Sequence, residues 1–311
     1  MSKDYIKNSI WFVLAEGIKI YFSNIDKFLT YMLFPVFGQL IGIVLAFGLS
    51  LGFAEKIVSK VENPLHAVLF VILLAIPGLL IFAKAFWDYM VAYVSLNSMT
   101  QGAITTGKVY DFQSHNEVAT RRTLKYVLFL IVVGFLSSMA TSIFFIIPGF
   151  VLWIYCILIY QVFTFEPELS VPDCYVNSFK LVRGNWLRTF ILLLILSFFS
   201  IYIITVGVSV VFDYLNLTDK ICSLFSHISN LVPLDLTNKI LVHLNINIIT
   251  PEDISKWIFY SILSFIVMGM TLPIRSICWS LWYMNLMNQK KETNQPNKKN
   301  RRIKKSFDED E

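Results

Sequence analysis

Residues 146–190 read IIPGFVLWIYCILIYQVFTFEPELSVPDCYVNSFKLVRGNWLRTF. An apolar segment reaches Pro148-Gly149, a second apolar run continues to about Phe165, and Glu166-Pro167-Glu168 closes it. Ser170 then stands three residues before Asp173 with Pro172 in the first turn, the pattern of a capped helix start. On that helix Tyr175, Phe179, Val182 and Trp186 share one face, and Asp173, Asn177, Lys180 and Arg183 the other. Such a helix is expected to lie along a membrane surface over 170–186, ending at Gly184-Asn185. A further apolar run starts at Leu187. The succession is a membrane hairpin with its turn at Pro148-Gly149, a surface helix and the next crossing.

The whole chain carries the same signal. Of its 311 residues 56% are hydrophobic and 15% charged, more apolar surface than a soluble domain of this size can hide. The apolar runs are long enough to cross roughly 30 Å of hydrocarbon. The net charge of +5 owes much to eight Lys and Arg between Lys290 and Lys305. Beside a membrane span that tail marks a cytoplasmic end facing anionic lipid; nucleic acid is not an expected partner. Lys3 and Lys7 are followed by no compact apolar core with a cleavage site, so a removed signal peptide is not expected. Cys156, Cys174, Cys222 and Cys278 form no C-x-x-C pair and read as small apolar fillers.

The expected fold is an all-α membrane protein with six transmembrane helices, two interfacial amphipathic helices and a weak two-fold internal repeat. An N-terminal interfacial helix occupies 1–27, with Val13 and Gly17 on its apolar face. The transmembrane domain covers 28–287, with spans at about 28–54, 65–95, 124–147, 150–165, 187–214 and 254–287. Gly38-x-x-x-Gly42 in the first span permits close helix approach, and packing within the chain is the expected use. Pro77-Gly78 suggests a kink or break in the second span, and polar residues 105–122 a loop. An outer loop at 215–253 carries two short amphipathic patterns, and 288–311 is a charged, disordered cytoplasmic tail. The repeat rests on layout and on paired Asn-Ser dipeptides, Asn8-Ser9 and Asn177-Ser178.

Charge placement orients these spans. With the N-terminus inside, Lys3, Lys7, Lys19, Lys27, Lys108, Arg121, Arg122, Lys125, Lys180, Arg183, Arg188 and the eight basic tail residues are cytoplasmic. Only Lys56, Lys60, Lys220, Lys239 and Lys256 fall outside. That bias places both termini in the cytoplasm.

Ile147-Pro148-Gly149, Glu166, the run Asn177-Ser178-Phe179-Lys180-Leu181-Val182-Arg183-Gly184-Asn185-Trp186 and the span end Trp282-Tyr283-Met284-Asn285-Leu286 give the chain a likeness. It resembles bacterial six-span membrane proteins related to the membrane domain of glycerophosphoryl diester phosphodiesterases. The resemblance covers most of residues 5–290. It implies that fold and a bacterial cytoplasmic membrane, and no activity, since the catalytic barrel of the parent enzymes has no counterpart here. Asn285 stands where that pattern has an acidic residue.

No H-E-x-x-H, P-loop or glycine-rich dinucleotide turn occurs, and His66, His115, His227 and His243 have no ligand spacing. No catalytic residue, cofactor or metal is therefore expected. Three readings of function stay open. One is a non-enzymatic membrane protein in envelope or lipid homeostasis, or one scaffolding a membrane protein partner. The others are a small transporter or channel and a membrane-embedded lipid-acting enzyme. Two groups of residues stand out. Lys84, Asp88 and Arg275 are ionisable residues within spans, a functional pointer by default. Lys180, Arg183 and Arg188 are placed to contact anionic lipid headgroups at the cytoplasmic face.

Overall fold

A computed structural model describes residues 9–61, 63–109, 111–141, 146–230, 234–243 and 247–294. Every regular element among them is helical. The chain falls into two compact units whose segments interleave. The first comprises Met1–Tyr31, Tyr89–Leu192 and Pro273–Glu311; the second comprises Met32–Asp88 and Leu193–Leu272. Each unit draws on both the first and the second half of the sequence. Asn8 lies outside the described residues. Ser9 caps α1 by accepting from the Phe12 amide, whereas Ser178 is buried in mid-helix and donates to the Tyr155 carbonyl at 2.8 Å. The two serines do different work.

Among the described residues, five helical stretches are long and apolar enough to cross a membrane: Ile25–Ala54, Pro64–Thr106, Ile147–Phe165, Trp186–Tyr214 and Pro251–Met270. Many of their large side chains face outward, with Val44 67% and Leu80 65% exposed. Outward apolar faces on this scale suit hydrocarbon as the solvent.

In the second unit, α2 (Ile25–Val58) and the first part of α3 (Pro64–Thr106) cross at glycines. A methyl group on Gly42 would lie 2.5 Å from the Phe82 nitrogen, and one on Gly38 2.8 Å from the Ala85 methyl. The Gly38-x-x-x-Gly42 motif thus serves packing within the chain. α3 runs unbroken through Pro77-Gly78, where the sequence suggests a kink or break; Gly78 abuts the α2 backbone at Ala46. The Trp186–Tyr214 crossing consists of α9 (Trp186–Ser197), a π-helical turn (Phe198–Ile203) and α10 (Ile204–Tyr214). The 215–253 region holds two helices, α11 (Leu217–Asn230) and α12 (Asp235–His243). α11 docks on α13 (Pro251–Met270) through Cys222, Phe259, Leu263 and Val267, and Ser229 bonds Ser255 at 2.7 Å. α13 starts with a reciprocal cap between Thr250 and Asp253 and ends at Thr271. The expected 254–287 helix is thus two: α14 (Leu272–Asn294) carries Pro273 in its first turn and belongs largely to the first unit.

The first unit adds six more helices. α1 (Ile10–Ser23) buries Val13, Gly17 and Ile20; a methyl on Gly17 would meet the Cys278 sulfur of α14 at 2.6 Å. Within 105–122, expected as a loop, α4 forms over Phe112–Thr120. α5 (Thr123–Thr141) packs on α6 (Ile146–Tyr155), and Pro148-Gly149 lies in the first turn of α6 rather than between two spans. The constrained φ of proline suits that turn. A short break at 156–158 leads to α7 (Ile159–Phe165), and Ser170 caps α8 (Val171–Val182) by accepting from the Asp173 amide. α14 continues to Asn294, so Lys290 and Lys291 are helical; 295–311 lie outside the described residues.

Candidate functional site: a buried polar core in the first unit

The second part of α3 is the axis of this site. Val91, Ala92, Val94, Ser95, Leu96, Asn97, Met99 and Thr100 are all buried. Buried polar groups need partners. Ser95 donates to Asn116 Oδ1 at 2.9 Å and Tyr31 to the same atom at 2.6 Å. The Ser98 hydroxyl meets His115 Nδ1 at 3.0 Å. Burial pulls the His115 imidazole below its ordinary value, against the opposing charge of Asp111.

Asn97 is the hub. Its Oδ1 receives Gln161 Nε2 at 3.2 Å, Ser276 Oγ at 2.6 Å and Ser280 Oγ at 3.1 Å. Its Nδ2 reaches Thr164 Oγ1 at 3.4 Å, and Thr164 donates to the Tyr160 carbonyl at 2.7 Å. Three helices, α3, α7 and α14, thus meet through uncharged side chains. Tyr93 stacks on Tyr160 with ring centroids 4.9 Å apart, closing one side of the core.

A second constellation gathers the residues of the 146–190 stretch. Glu166 accepts from Tyr283 OH at 2.7 Å and from Asn177 Nδ2 at 3.1 Å. Trp282 donates to Thr189 Oγ1 at 3.0 Å. Arg122 and Lys125 both bond the Pro167 carbonyl, at 3.2 and 3.1 Å, and lie over the Phe163 ring at 4.6 and 5.9 Å. Two cations there complement the C-terminal end of α7. The stripe of α8 that packs within the unit is Cys174, Ser178, Leu181 and Val182, which shares only Val182 with the Tyr175–Phe179–Val182–Trp186 face. Hydrogen bonding explains the rotation: Ser178 finds a carbonyl inside, and Asn177 finds Glu166. Burial pushes the Cys174 thiol up despite Lys125 and Arg122 nearby, so it is no activated nucleophile.

The residues singled out in the sequence divide. Lys84 and Asp88 form the expected i, i+4 pair, with Lys84 Nζ 2.5 and 2.6 Å from the two carboxylate oxygens. Lys84 is 63% exposed and sits 5.9 Å above the Phe34 ring. It lies about 30 Å along the helix from Pro64, one hydrocarbon thickness. Arg275 belongs to the first unit, beside Ser276 on α14. Lys180, Arg183 and Arg188 are exposed, and the Arg188 guanidinium lies 6.0 Å from the Trp282 ring. Asn285 is buried and accepts from Gln289 at 3.3 Å.

The second unit offers an open cleft of about 330 Å³ between α11 and α13, lined by Asp219, Ser226, Asn230, Glu252 and Lys256 among others. Lys256 and Glu252 pair there at 2.7 Å. Among the described residues, no group of three or more His, Cys, Asp and Glu could hold a metal ion.

Fold and site together define a chain whose described elements are all helical, five stretches of them long and apolar enough to cross a membrane, with an uncharged polar core in the first unit. No family model, curated protein or solved structure matches it.

Proposed function

We propose that this is a non-enzymatic integral membrane protein that holds anionic lipid at the cytoplasmic face and serves envelope or lipid homeostasis, or the scaffolding of a membrane protein partner. One observation carries the reading. α8 is anchored on one side by Cys174, Ser178, Leu181 and Val182, and its opposite side exposes Lys180 and Arg183 next to Val176 and Phe179. Arg188 and Leu187 extend that exposed surface beyond the turn at Gly184, whose φ of 89° suits glycine. Basic and apolar side chains on one seated helix suit the level of the headgroups.

In this reading the five apolar helices and α5 make six crossings, with both termini inside a bacterial cytoplasmic membrane. α1 and α8 lie at the interface. The positive-inside distribution and the motif-level resemblance to the phosphodiesterase membrane domains support it.

The test is lipid selectivity. Full-length protein in nanodiscs is mixed with labelled phosphatidylglycerol or phosphatidylcholine, and retained lipid is counted by native mass spectrometry. Preferential retention of the anionic lipid, reduced in Lys180→Gln/Arg183→Gln/Arg188→Gln, is expected. Equal retention of the two lipids, or no change in the triple variant, refutes it.

A second reading, a small transporter or channel, draws on the uncharged polar core around Asn97, since polar groups inside a membrane bundle mark solute paths. Flux of a solute in reconstituted vesicles would favour it.

A further inference from the structure

We infer that the cleft between α11 and α13 takes a zwitterionic ethanolamine headgroup, with its ammonium against Asp219, Ser223 and Ser226 and its phosphate at Lys256. The site uses none of the residues of α8 and shares with the anionic-lipid reading only the crossing by α13.

The cleft, of about 330 Å³, is walled by two helices of the second unit. They pack through Cys222, Phe259 and Leu263 and are pinned by the Ser229–Ser255 bond. Asp219, Ser223 and Ser226 follow at i, i+4 and i+7, so one face of α11 lines the opening. Ser223 and Ser226 spend their protons on carbonyls of their own helix, those of Lys220 and Ser223, both at 2.7 Å. What they offer the cleft is oxygen lone pairs. The Asp219 carboxylate forms no ion pair or hydrogen bond with the described residues. Three acceptors in a row, one of them charged, call for a donor with several N–H bonds, which is a primary ammonium. A quaternary ammonium donates none and is held in aromatic cages, and the described lining contains no aromatic ring.

The facing wall supplies the other pole. Lys256 bonds Glu252 at 2.7 Å with its side chain 41% exposed, and an ammonium has further N–H bonds to give an anion. Burial and the Asp219 carboxylate push the Cys222 thiol above its ordinary value, against Lys256, so both charges act at the floor of the cleft. A ligand with a single charge leaves one pole unanswered; a zwitterion answers both.

Depth favours a phospholipid as the source. α13 opens with Pro251, Glu252 and Asp253, and from Trp257 to Met270 it carries no charged residue. Trp257 and Tyr260 are exposed there, as is Tyr214 at the end of α10. Exposed Trp and Tyr mark the level where hydrocarbon meets headgroups. Lys256 directly precedes Trp257, so the cleft opens among the headgroups.

Full-length protein is reconstituted in nanodiscs of equal parts phosphatidylethanolamine and phosphatidylcholine, and retained lipid is counted by native mass spectrometry. Retention of phosphatidylethanolamine over phosphatidylcholine is expected. Asp219→Asn should lower that preference roughly fivefold, between the worth of an exposed ion pair and that of a charge-assisted hydrogen bond. Lys256→Gln should lower retention of both lipids, which share the phosphate. Lys239→Gln, exposed and outside the cleft, should change neither. In parallel, soluble phosphoethanolamine is titrated into the protein in detergent by calorimetry. Saturable binding lost in Asp219→Asn, without a lipid preference, would support the site and assign it to a soluble ligand. Equal retention of the two lipids together with no binding of phosphoethanolamine overturns the inference, as does a preference untouched by Asp219→Asn. Both wild-type measurements stand whether or not a variant folds. The basic triple variant of α8 should keep the phosphatidylethanolamine preference while losing phosphatidylglycerol, which separates the two proposals.

Discussion

Gly42 of α2 and Gly78 of α3 meet backbone to backbone: a methyl group on Gly42 would stand 2.8 Å from the Gly78 carbonyl oxygen. No side chain can yield there, because main chain is what it would strike. Gly42→Val should therefore destabilise the protein by about 3 kcal/mol, the upper end of overpacking costs. Gly48→Ala, where nothing lies within 4 Å, should be neutral or slightly stabilising through helix propensity. Equilibrium unfolding in mixed micelles compares the two; equal effects would show that the crossing is not tight.

Tyr283→Phe should cost about 1 kcal/mol, since it removes the hydroxyl that donates to Glu166. Thr189→Val should act similarly on the Trp282 indole. The pairs are separate, so the double variant should show near-additive losses in thermal unfolding.

The Lys84–Asp88 pair should contribute little. Lys84 is 63% exposed, and exposed i, i+4 pairs are worth under about 1 kcal/mol. Asp88→Asn should lower stability by no more than that in nanodiscs. A loss of about 3 kcal/mol or more would put the lysine in the hydrocarbon, where an unpaired charge is costly.

Burial lowers the His115 pKa below 6.5, so the unfolded chain binds a proton more readily than the folded one. Stability is unaffected above about pH 6.5 and declines as pH falls from there toward the folded value. The decline should vanish in His115→Gln, which is read from Tm measured between pH 5 and pH 8 (a range of about three units around the ordinary histidine value).

Orientation is tested by single cysteines in a background without the four native ones. Exposed Lys60→Cys and Lys220→Cys should react with an impermeant thiol reagent on intact cells. Exposed Gln113→Cys should react only after lysis. Labelling of position 113 from outside would reverse the topology.

The sequence by itself determined the local pieces. Apolar runs gave the long helices because a backbone in hydrocarbon must bond internally, and length against hydrocarbon thickness is a one-dimensional property. Ser170 with Asp173, and Gly184, mark the two ends of α8 because caps and positive φ are local demands. The Lys84–Asp88 pair is likewise a matter of helical spacing. Only the tertiary structure decided which polar residues meet. Asn97, Gln161 and Ser280 come from three helices far apart in sequence, and no periodicity announces such a meeting. For the same reason the face of α8 that packs was set by the Tyr155 carbonyl and the Glu166 carboxylate. Those partners outweigh hydrophobic pattern once a buried polar group must be satisfied, and their positions exist only in the folded chain.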